Sequence, residues 1–195
     1  MVACRKVGDV GSLNPGTEYR ILAQEPHSIH KGGREWRVGA NEFPISQTMT
    51  GVIIQLEPSG LRELHWHPYA DEWQYVISGE VHVTMFGSHG RYRIETLQAG
   101  DVGYIPQGYG HAIENASEGD PARALIAFNT GHYEAIDLSA WIASNPKNLL
   151  ATNFSKPESL FDEFPHDRVF IAPREGASKH LEGHDGFAQP DPFRH

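Results

Sequence analysis

The chain has 195 residues, a formal net charge of −9 with its 12 histidines neutral, and one cysteine, Cys4. That length suits one domain with appended arms, and the acidic balance argues against nucleic acid, whose phosphates need a basic surface. The lone cysteine excludes an internal disulfide and a cysteine-rich zinc site, and no apolar run is long enough to span a membrane.

Residues 1–44 read as an arm. Its N-terminal stretch, MVACRKVGDVGSLNPG, lacks an apolar segment of signal-peptide length, so the expected location is cytoplasmic. TEYRILAQ (17–24) and REWRVGANEF (34–43) can each supply a strand, with KGG (31–33) as a turn between them.

From 45 to about 130, short segments rich in Val, Ile, Tyr and Thr alternate with Gly, Pro and Asp. Strands are predicted at 50–58, 61–67, 72–79, 80–87, 91–98, 101–106, 111–116 and 122–130. Short strands at this spacing predict an all-β sandwich or barrel. The barrel is assigned to 45–136. Residues 137–172 shift toward a helical period, with Asp137 as a cap for LSAWIAS and Pro146 at the first position of the next helix. The tail, 173–195, is polar and rich in Gly and Pro, and reads as extended or disordered.

The segment ELHWHPYADEW (63–73) concentrates metal-binding residue types. In a strand, His65 and His67 project to one face, because side chains alternate with period 2. PYAD (68–71) can turn the chain and return Glu72 at the start of the next strand. In a closed antiparallel barrel, the strand opened by His111 can lie beside the one carrying His65. Three imidazoles and a carboxylate leave two open positions on an octahedral ion. That set suits Mn(II) or Fe(II), with Zn, Ni and Cu admissible on ligand type alone.

GLRELHWHPYADEWQYVISG resembles the first cupin motif, at Gly60, His65, His67, Glu72 and Gly79. GDVGYIPQGYGHAIEN resembles the second, at Gly100, Pro106, Gly108, His111 and Asn115. The fold this implies is a cupin jelly-roll barrel. RELHWH, DEWQYVISG, AGDVGYIP and GHAIEN further resemble the oxalate decarboxylase family, most closely its C-terminal cupin domain, over residues 36 to 165. Those enzymes hold two cupin domains; this chain has one.

The resemblance implies a manganese site at His65, His67, Glu72 and His111, with oxalate or a similar small carboxylate as substrate and O2 as co-reactant. It places the carboxylate-holding arginine at Arg62; the lesser alternative is a surface arginine on the barrel rim. Tyr133 matches a tyrosine near the family's site, or else packs in the core.

Where the family has a glutamate after the last histidine ligand, this chain has Ile126, and Glu134 is the nearby carboxylate that can substitute. A missing proton donor favours oxidation of oxalate over decarboxylation. The rival readings are another metal-dependent cupin oxygenase or isomerase, and a non-catalytic metal- or ligand-binding cupin. A single cupin is expected to regain the bicupin contact as a homodimer or higher homo-oligomer.

Overall fold

The computed structural model describes residues 16–174. The expectations for the arm before residue 16 and for the tail past residue 174 lie outside the described residues. All eight strands expected between 50 and 130 form. They are β3 (Thr50–Leu56), β4 (Gly60–Trp66), β5 (Glu72–Ser78), β6 (Glu80–Phe86), β7 (Tyr92–Gln98), β8 (Val102–Ile105), β9 (Gly110–Asn115) and β10 (Ala122–Phe128). Two strands precede them, β1 (Ser28–His30) and β2 (Gly33–Val38).

The KGG turn joins β1 to β2, with His30 opposite Gly33. The TEYRILAQ stretch therefore does not supply the partner strand; it carries a short 3-10 turn at Ile21–Ala23. β2 pairs with β3 from Gly33–Leu56 to Val38–Gly51, so residues 28–38 extend the barrel sheet.

One sheet runs β1-β2-β3-β10-β5-β8. The other runs β11-β4-β9-β6-β7, where β11 is Ile136–Asp137, and β12 (Ile171–Pro173) pairs with β4. All pairings are antiparallel, and from β3 to β10 every connection except the β6–β7 hairpin crosses between the sheets, which is jelly-roll connectivity.

The inner faces follow the alternation of a half-buried strand. In β10, Ala122, Ala124, Ile126 and Phe128 point inward, and the residues between them are partly exposed. They meet Val52, Ile54 and Leu56 from β3, Val76 from β5, Val81 and Val83 from β6, and Ile113 from β9. Each fully buried aliphatic or aromatic side chain contributes about 1.5–3 kcal/mol. Truncation of Phe128, 3% exposed, to Ala would cost about 3–5 kcal/mol.

The β5–β6 turn depends on Gly79. It sits at φ 80°, and a Cβ there would stand 2.9 Å from the Ala122 Cα.

The helical stretch forms α1 (Leu138–Ala143), α2 (Lys147–Phe154) and a 3-10 turn at Glu158–Asp162. Pro146 sits at the N-cap of α2, one residue before the first helical position. Asp137 occupies the α1 cap position without making a cap hydrogen bond, because its carboxylate is engaged by two arginines.

Candidate metal centre

His65, His67, Glu72 and His111 are all buried and each offers a ligand atom within 4.8 Å of the others. Strand geometry assembles them. His65 lies directly opposite His111 in the β4–β9 pairing. His67 follows β4 by one residue, and its carbonyl accepts from the Gly108 N–H (2.9 Å), tying the end of β4 to the turn before His111. Glu72 opens β5, as the PYAD turn predicted.

Each imidazole is oriented by a backbone carbonyl. His65 Nδ1 stands 2.7 Å from the Glu63 oxygen, His67 Nδ1 2.7 Å from the Glu134 oxygen, and His111 Nδ1 3.0 Å from the Tyr109 oxygen. A carbonyl only accepts, so Nδ1 carries the proton and a neutral ring keeps its lone pair on Nε2. Burial, followed by the charges of Arg62, His111 and His67, pushes the His65 pKa well below its ordinary value and keeps the ring neutral.

For Glu72, burial alone raises the pKa. The adjacent His111 and His67 imidazoles outweigh it and hold the carboxyl well below its ordinary range. Gln74 Nε2 donates to Glu72 Oε1 at 2.6 Å, fixing that carboxylate from behind.

The remaining atoms show what the cluster fits. Glu72 Oε2 lies 3.1 Å from His67 Nε2 and 2.9 Å from His111 Nε2. All three atoms are buried and none makes an aligned hydrogen bond. Electron-rich atoms this close repel unless a cation lies between them. Three imidazole nitrogens and one carboxylate oxygen, with carbonyls already fixing the ring tautomers, form a donor set for a divalent first-row metal.

Arg62 reaches the same cavity through an irregularity in β4. It stands three positions before His65, so strict alternation would place the two on opposite faces. The register shifts between Arg62–Ile113 and His65–His111, where β4 carries one residue more than β9. This bulge turns both side chains inward. Arg62 is 2% exposed. Its Nη1 lies 2.5 Å from Asp137 Oδ1, and its guanidinium stacks 4.0 Å over the Phe170 ring. Its Nη2 is buried with no hydrogen-bond partner.

Tyr133 packs on His67 and Phe128, and Arg37 lies 4.3 Å over its ring. Burial, with Glu35 and Glu72 adding to it, pushes its phenol up to about 12 although Arg62 opposes the shift, so the hydroxyl keeps its proton. Glu134 is exposed and enters the site through its carbonyl. Ile126 is buried and lines the cavity, with no acidic side chain from β10 beside it.

Three participants escaped the sequence reading. Asp137 was assigned as a helix cap but holds Arg62. Glu35 is 2% exposed and lines the cavity with the four candidate ligands' neighbours Arg62, Ile126 and Tyr133. Gln74 was also passed over. It stands two residues after Glu72, on the same strand face, and period 2 would have found it. Glu35 shares a face with Gly33 on β2, but only the pairing of β2 with β3 brings that face to the metal residues.

A family model described as Cupin matches residues 19–157. Oxalate decarboxylase OxdC from Bacillus subtilis (strain 168) is 38% identical over 144 residues, which cover 74% of this chain and 37% of that protein. An oxalate decarboxylase from Arthroderma benhamiae is 37% identical over 167 residues, covering 84% of this chain and 39% of that protein. This chain thus spans about two fifths of the length of these relatives. Among solved structures, a Bacillus subtilis oxalate decarboxylase described for its Mn(II) centres superposes with a TM-score of 0.77 at 33% identity, covering 86% of this chain and 44% of that one.

Proposed function

The chain belongs to the cupin family, and we propose that it is a manganese-dependent enzyme acting on oxalate or a similarly small carboxylate. The observation that carries this reading is Arg62: a buried guanidinium with one unpartnered Nη2, lining the cavity that also holds His65, His67 and Glu72. A fixed arginine donor beside a cation-binding cluster is suited to a carboxylate. The relatives named oxalate decarboxylase point to the same substrate class.

His65, His67, Glu72 and His111 would hold the metal. When bound, it would supply a Lewis-acidic centre able to exchange electrons with substrate and O2. The protein does the rest. Asp137 and the Phe170 ring fix the Arg62 guanidinium at the cavity wall. Val52, Ile54, Ile113, Ile126 and Phe128 make the remaining walls apolar and exclude water. The cavity measures about 10 Å³, room for an ion or one water, so a dicarboxylate enters only as its walls part.

The test is oxalate consumption by Mn-loaded protein in air, with formate and hydrogen peroxide read in the same tube. Wild type is expected to consume oxalate. R62K is expected to lose about 10²-fold in kcat/KM, equivalent to about 2.7 kcal/mol of transition-state binding. No oxalate consumption by Mn-replete wild type would refute the reading.

A further inference from the structure

We propose that Glu35, on β2, is the catalytic acid that delivers a proton to the substrate carbon. This rests on the oxalate reading above.

Among the described residues, Glu35 is the buried carboxyl of the site with no fixed task. Glu72 faces His67 and His111. Asp137 is engaged by Arg62 and Arg168. Glu63 accepts from the Ser139 hydroxyl and the Ser139 and Phe170 amides. Glu134 is exposed. Glu35 lines the cavity at 2% exposure, and its Oε1 has no hydrogen-bond partner. Its nearest cation, Arg37 Nη1, stands at 3.7 Å, beyond hydrogen-bonding reach.

The register explains how β2 supplies this group. Glu35 pairs with Ile54 on β3, and Ile54 pairs with Ala124 on β10. Ile126 is the next inward position on β10. A carboxyl from two strands away therefore overlooks the wall that Ile126 leaves apolar.

The charged and titratable groups facing Glu35 are Arg37 from its own strand, Arg62 from β4, Arg168 from the segment before β12, Asp137 from β11 and Tyr133. Burial raises the Glu35 pKa, and Asp137 adds to this. The three arginines pull the other way without cancelling the rise. A carboxyl so placed holds its proton more readily than a solvated one.

The step balances without added oxidant. The C–C bond of oxalate breaks, one carboxylate departs as CO2, and the bonding pair stays on the other carbon. A proton from Glu35 forms the C–H bond of formate, and solvent reprotonates Glu35. In sum, C2O4²⁻ + H⁺ gives HCO2⁻ + CO2. Where that proton fails to arrive, oxalate instead gives two electrons to O2: C2O4²⁻ + O2 + 2H⁺ gives 2CO2 + H2O2.

The experiment compares Mn-loaded wild type with E35Q, which keeps the shape and loses the acid. Formate and peroxide are read together, and oxalate affinity is read by calorimetry without O2. Wild type is expected to make formate. E35Q is expected to lose about 10²-fold in formate rate, with product shifting to peroxide and with Mn content and oxalate affinity within about twofold. If E35Q does not fold, E35V removes the buried polar group and is read the same way. The proposal is overturned if E35Q makes formate within about threefold of wild type, if wild type makes only peroxide, or if E35Q loses oxalate binding in proportion to rate. In these three cases oxalate remains the substrate. A wild type that consumes no oxalate instead removes the underlying reading, and Glu35's role with it.

Discussion

Replacing Asp137 with alanine isolates the ion pair that holds the buried Arg62 guanidinium. Asp137 and Arg62 are 3% and 2% exposed, and their charged atoms lie 2.5 Å apart. An exposed pair would contribute about 0.2–1 kcal/mol. Removing one partner of a buried pair strands the other charge and costs about 3–5 kcal/mol. In D137A the Arg62 guanidinium keeps the Phe170 ring and a carbonyl contact at 3.4 Å, so the lower end applies, about 3 kcal/mol. For a chain of this length, that lowers Tm by about 6–12 °C.

The measurement is urea unfolding and thermal melting of metal-free protein at neutral pH, for D137A and for the double variant R62M/D137L. The double variant replaces both charges with apolar groups and is expected to lose less than about 1 kcal/mol. Arg168 is 47% exposed and can return to solvent in both. A D137A loss below about 1 kcal/mol would refute the reasoning, since the pair would then behave as a surface one.

Metal addition and its loss on mutation follow from the donor cluster. Mn(II) at about a thousandfold excess over its Kd should stabilise wild type by about 4 kcal/mol in a melting scan. E72A and H111A should show no such shift, and a shift retained in both would place the ion elsewhere. Q74L removes the 2.6 Å donor to Glu72 and should weaken Mn(II) about 10–100-fold in a competition titration, with the fold intact. Trp73 lies opposite Tyr104, and Tyr75 opposite Val102, on an exposed apolar stretch of β5 and β8. Self-association across such a surface is the expected state, and sedimentation showing only 21.7 kDa particles would count against it.

Much of the barrel was legible because its signals are local. Strand length, turn glycines and alternation are written in neighbouring residues. His65, His67 and Glu72 fall within eight positions of one another. The same was true of the second motif, so His111 could be set beside His65 before any pairing was seen. The TEYRILAQ strand failed because composition there permits a strand, while the short KGG turn forces β2 to pair with the residues immediately before it, Ser28–His30.

What only the tertiary structure decided are relations between distant segments. The β4 bulge turns Arg62 and His65 to one face, against the two-residue alternation that the sequence implies. Asp137 sits 75 positions after Arg62, and its cap position in sequence gave no sign of an arginine partner. Glu35 reads as a charged residue on an outlying arm until β2 pairs with β3 and buries it in the wall of the cavity that the candidate ligands also line. Alternation tells which residues share a face of a strand. Which cavity that face closes depends on strand order, and strand order is set by packing across the whole barrel.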